Sequence, residues 1–247
     1  MRVFNGFDEL TRFTRPVVTV GSYDGVHAGH RKLITDIVEM ARRDGGESVV
    51  VTFWPHPRTV LGNMGEPVEL LSTPGEKATL LAGLGVDNLI IAPFTKAFSC
   101  VAPDVFVRDY LVGRIGVSRL VVGFNHHFGR NHEGGFGDLK KLGAGYGFTV
   151  TQVPEQDVHE HKVSSTVIRR LIRQGEMREA ARFLGAPYII MWPPGEGKLM
   201  PPPGNYPVKV HSGKGIPHAA VLTIRDGQSP SLDPPPAKDA ENIVEFA

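Results

Sequence analysis

Two histidines three residues apart, His27 and His30, close the stretch Gly21-Ser22-Tyr23-Asp24-Gly25-Val26-His27-Ala28-Gly29-His30. At the start of a helix that spacing puts both imidazoles on one side. The glycines let backbone pass close to a bulky anion, and a helix start offers unpaired N–H groups and the positive end of its dipole. Imidazoles beside such amides can form a phosphate site. The spacing departs from other glycine-rich signatures. No Lys-Ser or Lys-Thr closes it as in a Walker loop, it is not G-x-G-x-x-G, and a zincin needs histidines at i and i+4 with a glutamate between. The plain alternative is a turn that only links a strand to a helix.

Two more polar clusters have residue types suited to anions. Asn125-His126-His127-Phe128-Gly129-Arg130 follows an apolar run, and Val163-Ser164-Ser165-Thr166-Val167-Ile168-Arg169-Arg170 opens a segment with Ile168, Leu171 and Ile172 on one side. Each has an ordinary reading. Ser164 to Thr166 can be an N-cap, Arg169 and Arg170 a solvated helix face, and His126 and His127 loop residues. A zinc site drawing on His132 is a further option.

The elements that must position these groups alternate between strand and helix. Val17 to Val20, Ser48 to Phe53, Asn88 to Ala92, Arg119 to Phe124 and Phe148 to Val153 read as strands. The most continuously apolar of them suit a sheet covered on both faces. Between them, Arg31 to Arg43, Thr73 to Leu84, Pro103 to Val112 and Phe136 to Leu142 read as helices, with Thr73 as N-cap and Pro74 in the first position. Trp54-Pro55-His56-Pro57 reads as a loop, and Arg2 to Phe13 as a mixed segment against the sheet edge. This order predicts an α/β fold with a doubly wound parallel sheet, whose ligand sits at the carboxyl ends of the strands. The first two polar clusters directly follow strands.

Composition narrows the classes. A chain of 247 residues, 41% hydrophobic, can bury one good core and a small appendage. Net charge is +1, from 27 basic and 26 acidic residues, which implies no nucleic-acid-binding surface. The single cysteine, Cys100, suits a reducing, cytoplasmic setting. No apolar run is long enough for a membrane span, and Met1 to Arg15 lacks the apolar core of a signal peptide. Nothing in the sequence gives the oligomeric state.

Gly21 to His30 resembles G-x-F-D-G-V-H-x-G-H, the H-x-G-H nucleotidyltransferase motif in the form used by the bacterial FAD synthetase family (riboflavin kinase/FMN adenylyltransferase). Tyr23 stands where that family usually has phenylalanine. Val163 to Arg169 is similar to the family's second signature. Thr52-Phe53-Trp54-Pro55-His56-Pro57, Leu71-Ser72-Thr73-Pro74-Gly75-Glu76-Lys77 and Val121 to Asn131 resemble its intervening motifs in order. The likeness covers Val17 to Tyr188. It implies a nucleotidyltransferase of the H-x-G-H type in which the phosphate of FMN attacks the α-phosphorus of ATP, giving FAD and pyrophosphate. It further implies His27, His30 and Arg169 as catalytic groups. ATP would be bound by Gly21, Ser22, Tyr23, Asp24, His27, Gly29, His30, Ser164, Ser165, Thr166 and Arg169. Asn125, His56 and Arg58 would lie on the FMN side. Mg2+ would arrive on the nucleotide, with no protein metal site.

From Pro187 onward the chain departs from that family. These 61 residues hold 12 of the 20 prolines, which argues against a helical domain. Tyr206 to Val210 and Ala219 to Ile224 read as strands, and Ile243 to Phe246 echoes a later family strand. The family's β-barrel kinase carries G-F-P-T-A-N where this chain has Gly197-Lys198-Leu199-Met200-Pro201-Pro202-Pro203. The expectation is an adenylyltransferase domain over residues 1–186 and a small, shortened, β-rich C-terminal domain over 187–247, leaning on the first and without riboflavin kinase activity. A tail partly without structure around Pro234-Pro235-Pro236 is the alternative. Other functional readings are the full bifunctional enzyme, a nucleotidyltransferase for a different phosphate acceptor, and a flavin or nucleotide sensor without turnover.

Overall fold

Runs of Val, Ile and Leu uninterrupted by charge can only be buried on both faces, and they form the centre of the fold. A computed structural model describes residues 1–62, 68–124, 135–154, 157–158 and 161–247. By their contacts these fall into two units. One comprises Met1–Tyr23, Gly29–Val68 and Ala78–Gln156; the other comprises Asp24–Ala28, Glu69–Lys77 and Asp157–Ala247.

The first unit contains β1 (Arg2–Asn5), β2 (Val17–Val20), α1 (Ala28–Arg43), β3 (Ser48–Trp54), α2 (Pro57–Leu61) and α3 (Pro74–Gly83). It continues with β4 (Asn88–Pro93), α4 (Lys96–Ser99), α5 (Pro103–Val105), β5 (Arg119–Gly123), α6 (Phe136–Tyr146) and β6 (Thr149–Val153). Ala28 and the first turn of α3 group with the second unit. The six strands pair in the order β1-β4-β3-β2-β5-β6, every pair parallel. This is the doubly wound sheet expected from the alternation of apolar runs. Strand order reverses between β2 and β5, so the carboxyl ends of those two strands, at Gly21 and Phe124, flank the switch point.

Several local details differ from the sequence reading. Arg2–Asn5 is itself an edge strand, paired with β4, rather than a segment packed on the sheet edge. Helix α1 begins at Ala28 rather than Arg31, which places Gly29 and His30 in its first turn. The prolines after β3 do not leave only a loop. Pro57 occupies the first position of α2, where a fixed φ and a missing N–H suit a helix start. Past α5 the chain continues as a π-helix, Phe106–Ile115, closed by Gly116 at φ +71°.

The second unit holds β7 (Asp157–Val158), β8 (His161–Lys162), α7 (Ser165–Arg173), α8 (Met177–Leu184), β9 (Ile189–Trp192), β10 (Gly204–Ser212), β11 (His218–Ile224), β12 (Ser231–Asp233) and β13 (Asn242–Phe246). The last five form an antiparallel sheet in the order β12-β11-β10-β13-β9. Two of these strands, β9 and β12, are additions to the sequence reading. Pro234 to Pro236 lies between β12 and β13, after which the chain returns to pair with both β10 and β9. The sheet does not bury its apolar face alone. Val208, Val210 and Leu222 share one core with Ile168, Ile172 and Leu184 of α7 and α8. The proline-rich segment therefore leans on the two helices that precede it.

Candidate active site

In the first unit the end of β2 is fixed by a hydroxyl chain. Thr19 Oγ1 donates to the carbonyl of Val121 on β5 at 2.7 Å, which spends its only proton, so Tyr23 OH is the donor in the 2.7 Å bond between the two side chains. Burial pushes the Tyr23 hydroxyl well above its ordinary pKa, keeping it protonated as that donor requires. The Tyr23 ring covers Gly21 and meets the His30 ring edge to face, with centroids 5.1 Å apart. Tyr23 is thus a support beneath His30. Ser22 presents its carbonyl to Thr52 Oγ1 at 3.0 Å.

In the second unit the centre is Asp24, only 2% exposed. Its Oδ1 accepts from the Ser72 N–H at 2.9 Å, and its Oδ2 accepts from the Leu71 N–H at 3.2 Å and from an Arg169 terminal nitrogen at 2.5 Å. Its backbone carbonyl accepts from Ser165 Oγ at 3.1 Å. Ser72 Oγ in turn accepts from the Gly25 N–H at 2.9 Å. One carboxylate therefore ties the glycine-rich turn to the start of α7 and to the loop before α3. The turn requires tying, because Val26, β-branched, sits at φ 42°, a conformation such residues adopt only when their surroundings impose it. Gly25, at φ +80°, has no room for a methyl: a Cβ there would lie 2.9 Å from Leu71 Cδ1.

His27 and Lys77 belong to the same unit and feel the same carboxylate. Burial lowers the His27 pKa to about 4 against the opposing pull of Asp24, so the imidazole is neutral at pH 7. Burial lowers the Lys77 ammonium to about 8, again opposed by Asp24. These are groups poised to gain from an incoming anion.

The remaining candidates divide. Ser164 is the N-cap of α7, accepting from the Val167 N–H at 3.3 Å, and Thr166 is exposed. Arg170 is a solvated residue, whereas Arg169 is buried and also donates from Nε to the Glu69 carbonyl at 2.8 Å. In the first unit, His56 caps α2 by accepting from the Arg58 N–H at 3.2 Å, and Arg58 is exposed. Asn125, together with His126, His127, Gly129, Arg130 and His132, lies outside the described residues. Among the described residues no three His, Cys, Asp or Glu side chains gather as metal ligands, and no helix is long and apolar enough to cross a membrane.

Sequence reasoning missed Lys77, Glu76 and Lys198. Glu76 and Lys198 form an ion pair of 2.8 Å with both side chains fully buried. Glu76 also completes a capping box on α3, its Oε2 accepting from the Thr73 N–H at 2.8 Å while Thr73 Oγ1 accepts from the Glu76 N–H at 3.4 Å. That box was legible as T-P-G-E; the lysine 122 residues on was not.

Comparison with known proteins accords with these motifs. The sequence model of the FAD synthetase family matches residues 11–167. A bifunctional riboflavin kinase/FMN adenylyltransferase of Listeria monocytogenes is 41% identical over 181 residues, 73% of this chain and 57% of that protein. An FAD synthetase of the same organism is 34% identical over 174 residues, 70% of each chain. A bifunctional enzyme of Escherichia coli is 31% identical over 192 residues, and 61% of it is covered. The chain thus spans little more than half the length of the bifunctional relatives. In fold it is similar to a crystal structure described as a macrolide-efflux protein from Streptococcus pneumoniae, with a TM-score of 0.81 at 24% identity, covering 99% of this chain and 88% of that one. With the family match extending over most of the chain, and with a relative covered for 70% of its length, this protein belongs to the FAD synthetase family.

Proposed function

We propose that the chain is an FMN adenylyltransferase that lacks riboflavin kinase activity. A phosphate oxygen of FMN attacks the α-phosphorus of ATP, a new P–O bond forms, and the bond to the β-phosphate oxygen breaks to release pyrophosphate. FMN is already anionic near neutral pH, so no general base is needed to make the nucleophile. What the protein must supply is alignment and neutralisation of charge on the α-phosphate and the leaving group. The observation that carries this reading is the Asp24 network, which joins the H-x-G-H turn to the S-S-T-x-x-R helix through one buried carboxylate.

In this reading His27 and His30 donate to the triphosphate, and Gly21, Ser22 and Gly29 admit it. Thr166 binds phosphate oxygens through its hydroxyl and Ser165 through its backbone N–H, its hydroxyl proton being spent on the Asp24 carbonyl, while Ser164 orders the helix start that presents them. Tyr23 and Asp24 act through the groups they hold. Arg169 has five N–H donors, and those not spent on Asp24 and Glu69 serve the pyrophosphate. Asn125, His56 and Arg58 are assigned to the FMN side. Mg2+ enters bound to ATP, as part of the substrate. We take residues 1–186 as the adenylyltransferase module and 187–247 as a shortened kinase-like segment, in a cytoplasmic protein.

The test is a product assay with ATP and Mg2+, run separately with FMN and with riboflavin. FAD from FMN and nothing from riboflavin is expected. FMN formed from riboflavin overturns the loss of the kinase, and no product from FMN overturns the adenylyltransferase.

A further inference from the structure

Lys198 occupies the stretch that replaces the family's kinase motif, yet its side chain is fully buried. Its ammonium donates to the Leu71 carbonyl at 2.8 Å, to the Ile189 carbonyl at 2.7 Å and to Glu76 Oε2 at 2.8 Å, which uses all three of its protons. The Tyr188 ring lies under it, 4.1 Å from centroid to nitrogen. The neighbouring backbone is stitched to the same loop. The Leu70 N–H donates to the Gly197 carbonyl at 2.7 Å, and the Leu199 N–H donates to the Leu70 carbonyl at 2.9 Å.

The Leu71 carbonyl and the Ser72 N–H are the two ends of one rigid peptide plane. Lys198 holds the oxygen end, and Asp24 receives the hydrogen end at 2.9 Å. An ammonium drawing on the carbonyl both orients that plane and polarises its N–H toward the carboxylate. The line continues from Asp24 to Arg169 and Ser165.

We propose that Lys198 is a positioning residue of the adenylyl-transfer site, acting through the Leu71–Ser72 peptide on Asp24, and that the shortened C-terminal segment serves as a brace for the glycine-rich turn. The inference rests on the adenylyltransferase reading for its activity assay. A buried ion pair by itself adds little stability over an apolar pair of the same size. Three directed bonds on one nitrogen do something an apolar contact cannot: they fix where a loop's peptide plane lies. Residues far from the chemistry matter when a displacement of an ångström is enough to slow transfer.

The test compares Lys198→Met/Glu76→Gln, which removes both buried charges, with Tyr188→Phe. The latter removes a bond to the Leu199 carbonyl (2.8 Å) in the same pocket but outside the line to Asp24. For each, melting temperature, kcat and KM for ATP and FMN are measured well below the melting point. The double variant is expected to lose about 10- to 100-fold in kcat. Tyr188→Phe is expected to melt earlier and keep the parent kcat. A parent-like kcat in the double variant overturns the proposal, as does an equal loss in Tyr188→Phe. If the double variant does not fold, amide hydrogen exchange of the parent decides: Leu71 and Ser72 amides protected as well as the β3 amides support the brace, and rapid exchange there overturns it. Failure of the parent to make FAD from FMN strikes the functional reading alone. The brace is then read from the ATP affinity of the variants, expected to weaken in Lys198→Met/Glu76→Gln and not in Tyr188→Phe; unchanged affinity in both overturns it.

Discussion

The two compact units hold their share of the glycine-rich turn by different means. In the first, the end of β2 is set by aliphatic strands in a parallel sheet, and its polar bonds are short hydroxyl links such as Thr19 to Val121 and Tyr23 to Thr19. In the second, the turn at Asp24 is set by buried charge: Asp24 with Arg169, and Glu76 with Lys198. Apolar packing is forgiving of small changes and needs only roughly the right volume. A buried carboxylate is not forgiving, because removing one partner leaves the other charged and desolvated. The lesson is that precision in the glycine-rich turn comes from charges that must all be present together.

The largest effect sharpening this contrast is expected from Asp24→Ala. It strands Arg169 and should cost about 3–5 kcal/mol in urea unfolding, with FAD formation close to the limit of detection. If it costs no more than a surface substitution, the contrast fails. His27 gives the next effect, read through pH. Its native pKa of about 4 lies below the ordinary 6.5, so between those values the unfolded chain binds a proton that the folded chain refuses. Stability is therefore fully present above pH 6.5 and is lost as pH falls toward 4, by roughly 1.4 kcal/mol per unit at most. Unfolding curves across that window should be steeper in pH for the parent than for His27→Asn; parallel curves would show that the imidazole is not buried neutral.

Gly25→Ala follows, at roughly 1–3 kcal/mol, from a left-handed φ and a contact with Leu71 that backbone movement must relieve. A wild-type melting temperature in that variant would mean the turn is looser than its bonds require. The smallest effect belongs to the first unit. Tyr23→Phe deletes one hydrogen bond above Thr19 and is expected to change unfolding by about 1 kcal/mol or less. A loss as large as that of Asp24→Ala would erase the distinction between the two units.

Much of the first unit was legible in the sequence, since runs such as Val49-Val50-Val51 admit one environment, and a doubly wound sheet places its site at strand ends without further information. The glycine-rich turn was legible as well. What hid was the partnership of charges. Arg169 read as a pyrophosphate ligand by resemblance and as a solvated residue by pattern, and neither reading supplies Asp24, 145 residues earlier. Lys198 lies among prolines and glycines that carry no periodicity, so nothing local marks it as buried. The C-terminal sheet was seen as fragments because its apolar face is completed by α7 and α8, elements assigned by pattern to the preceding domain. His56 is placed on the FMN side by resemblance alone, and its second task, capping a five-residue helix, carries no signal in the pattern.

The second unit is assembled from three separated pieces of chain, Asp24–Ala28, Glu69–Lys77 and Asp157–Ala247. During synthesis at roughly 5–20 residues per second, Asp24 leaves the ribosome roughly 7–30 s before Arg169, its partner 145 residues later. Through that interval Asp24 has the Leu71 and Ser72 amides but lacks the guanidinium that pairs with it, so the turn that carries the left-handed backbone of Val26 is only partly restrained. The parallel sheet can form co-translationally while the turn stays unset. The turn therefore gains its full set of partners only once the helix that carries Ser165 and Arg169 has been made.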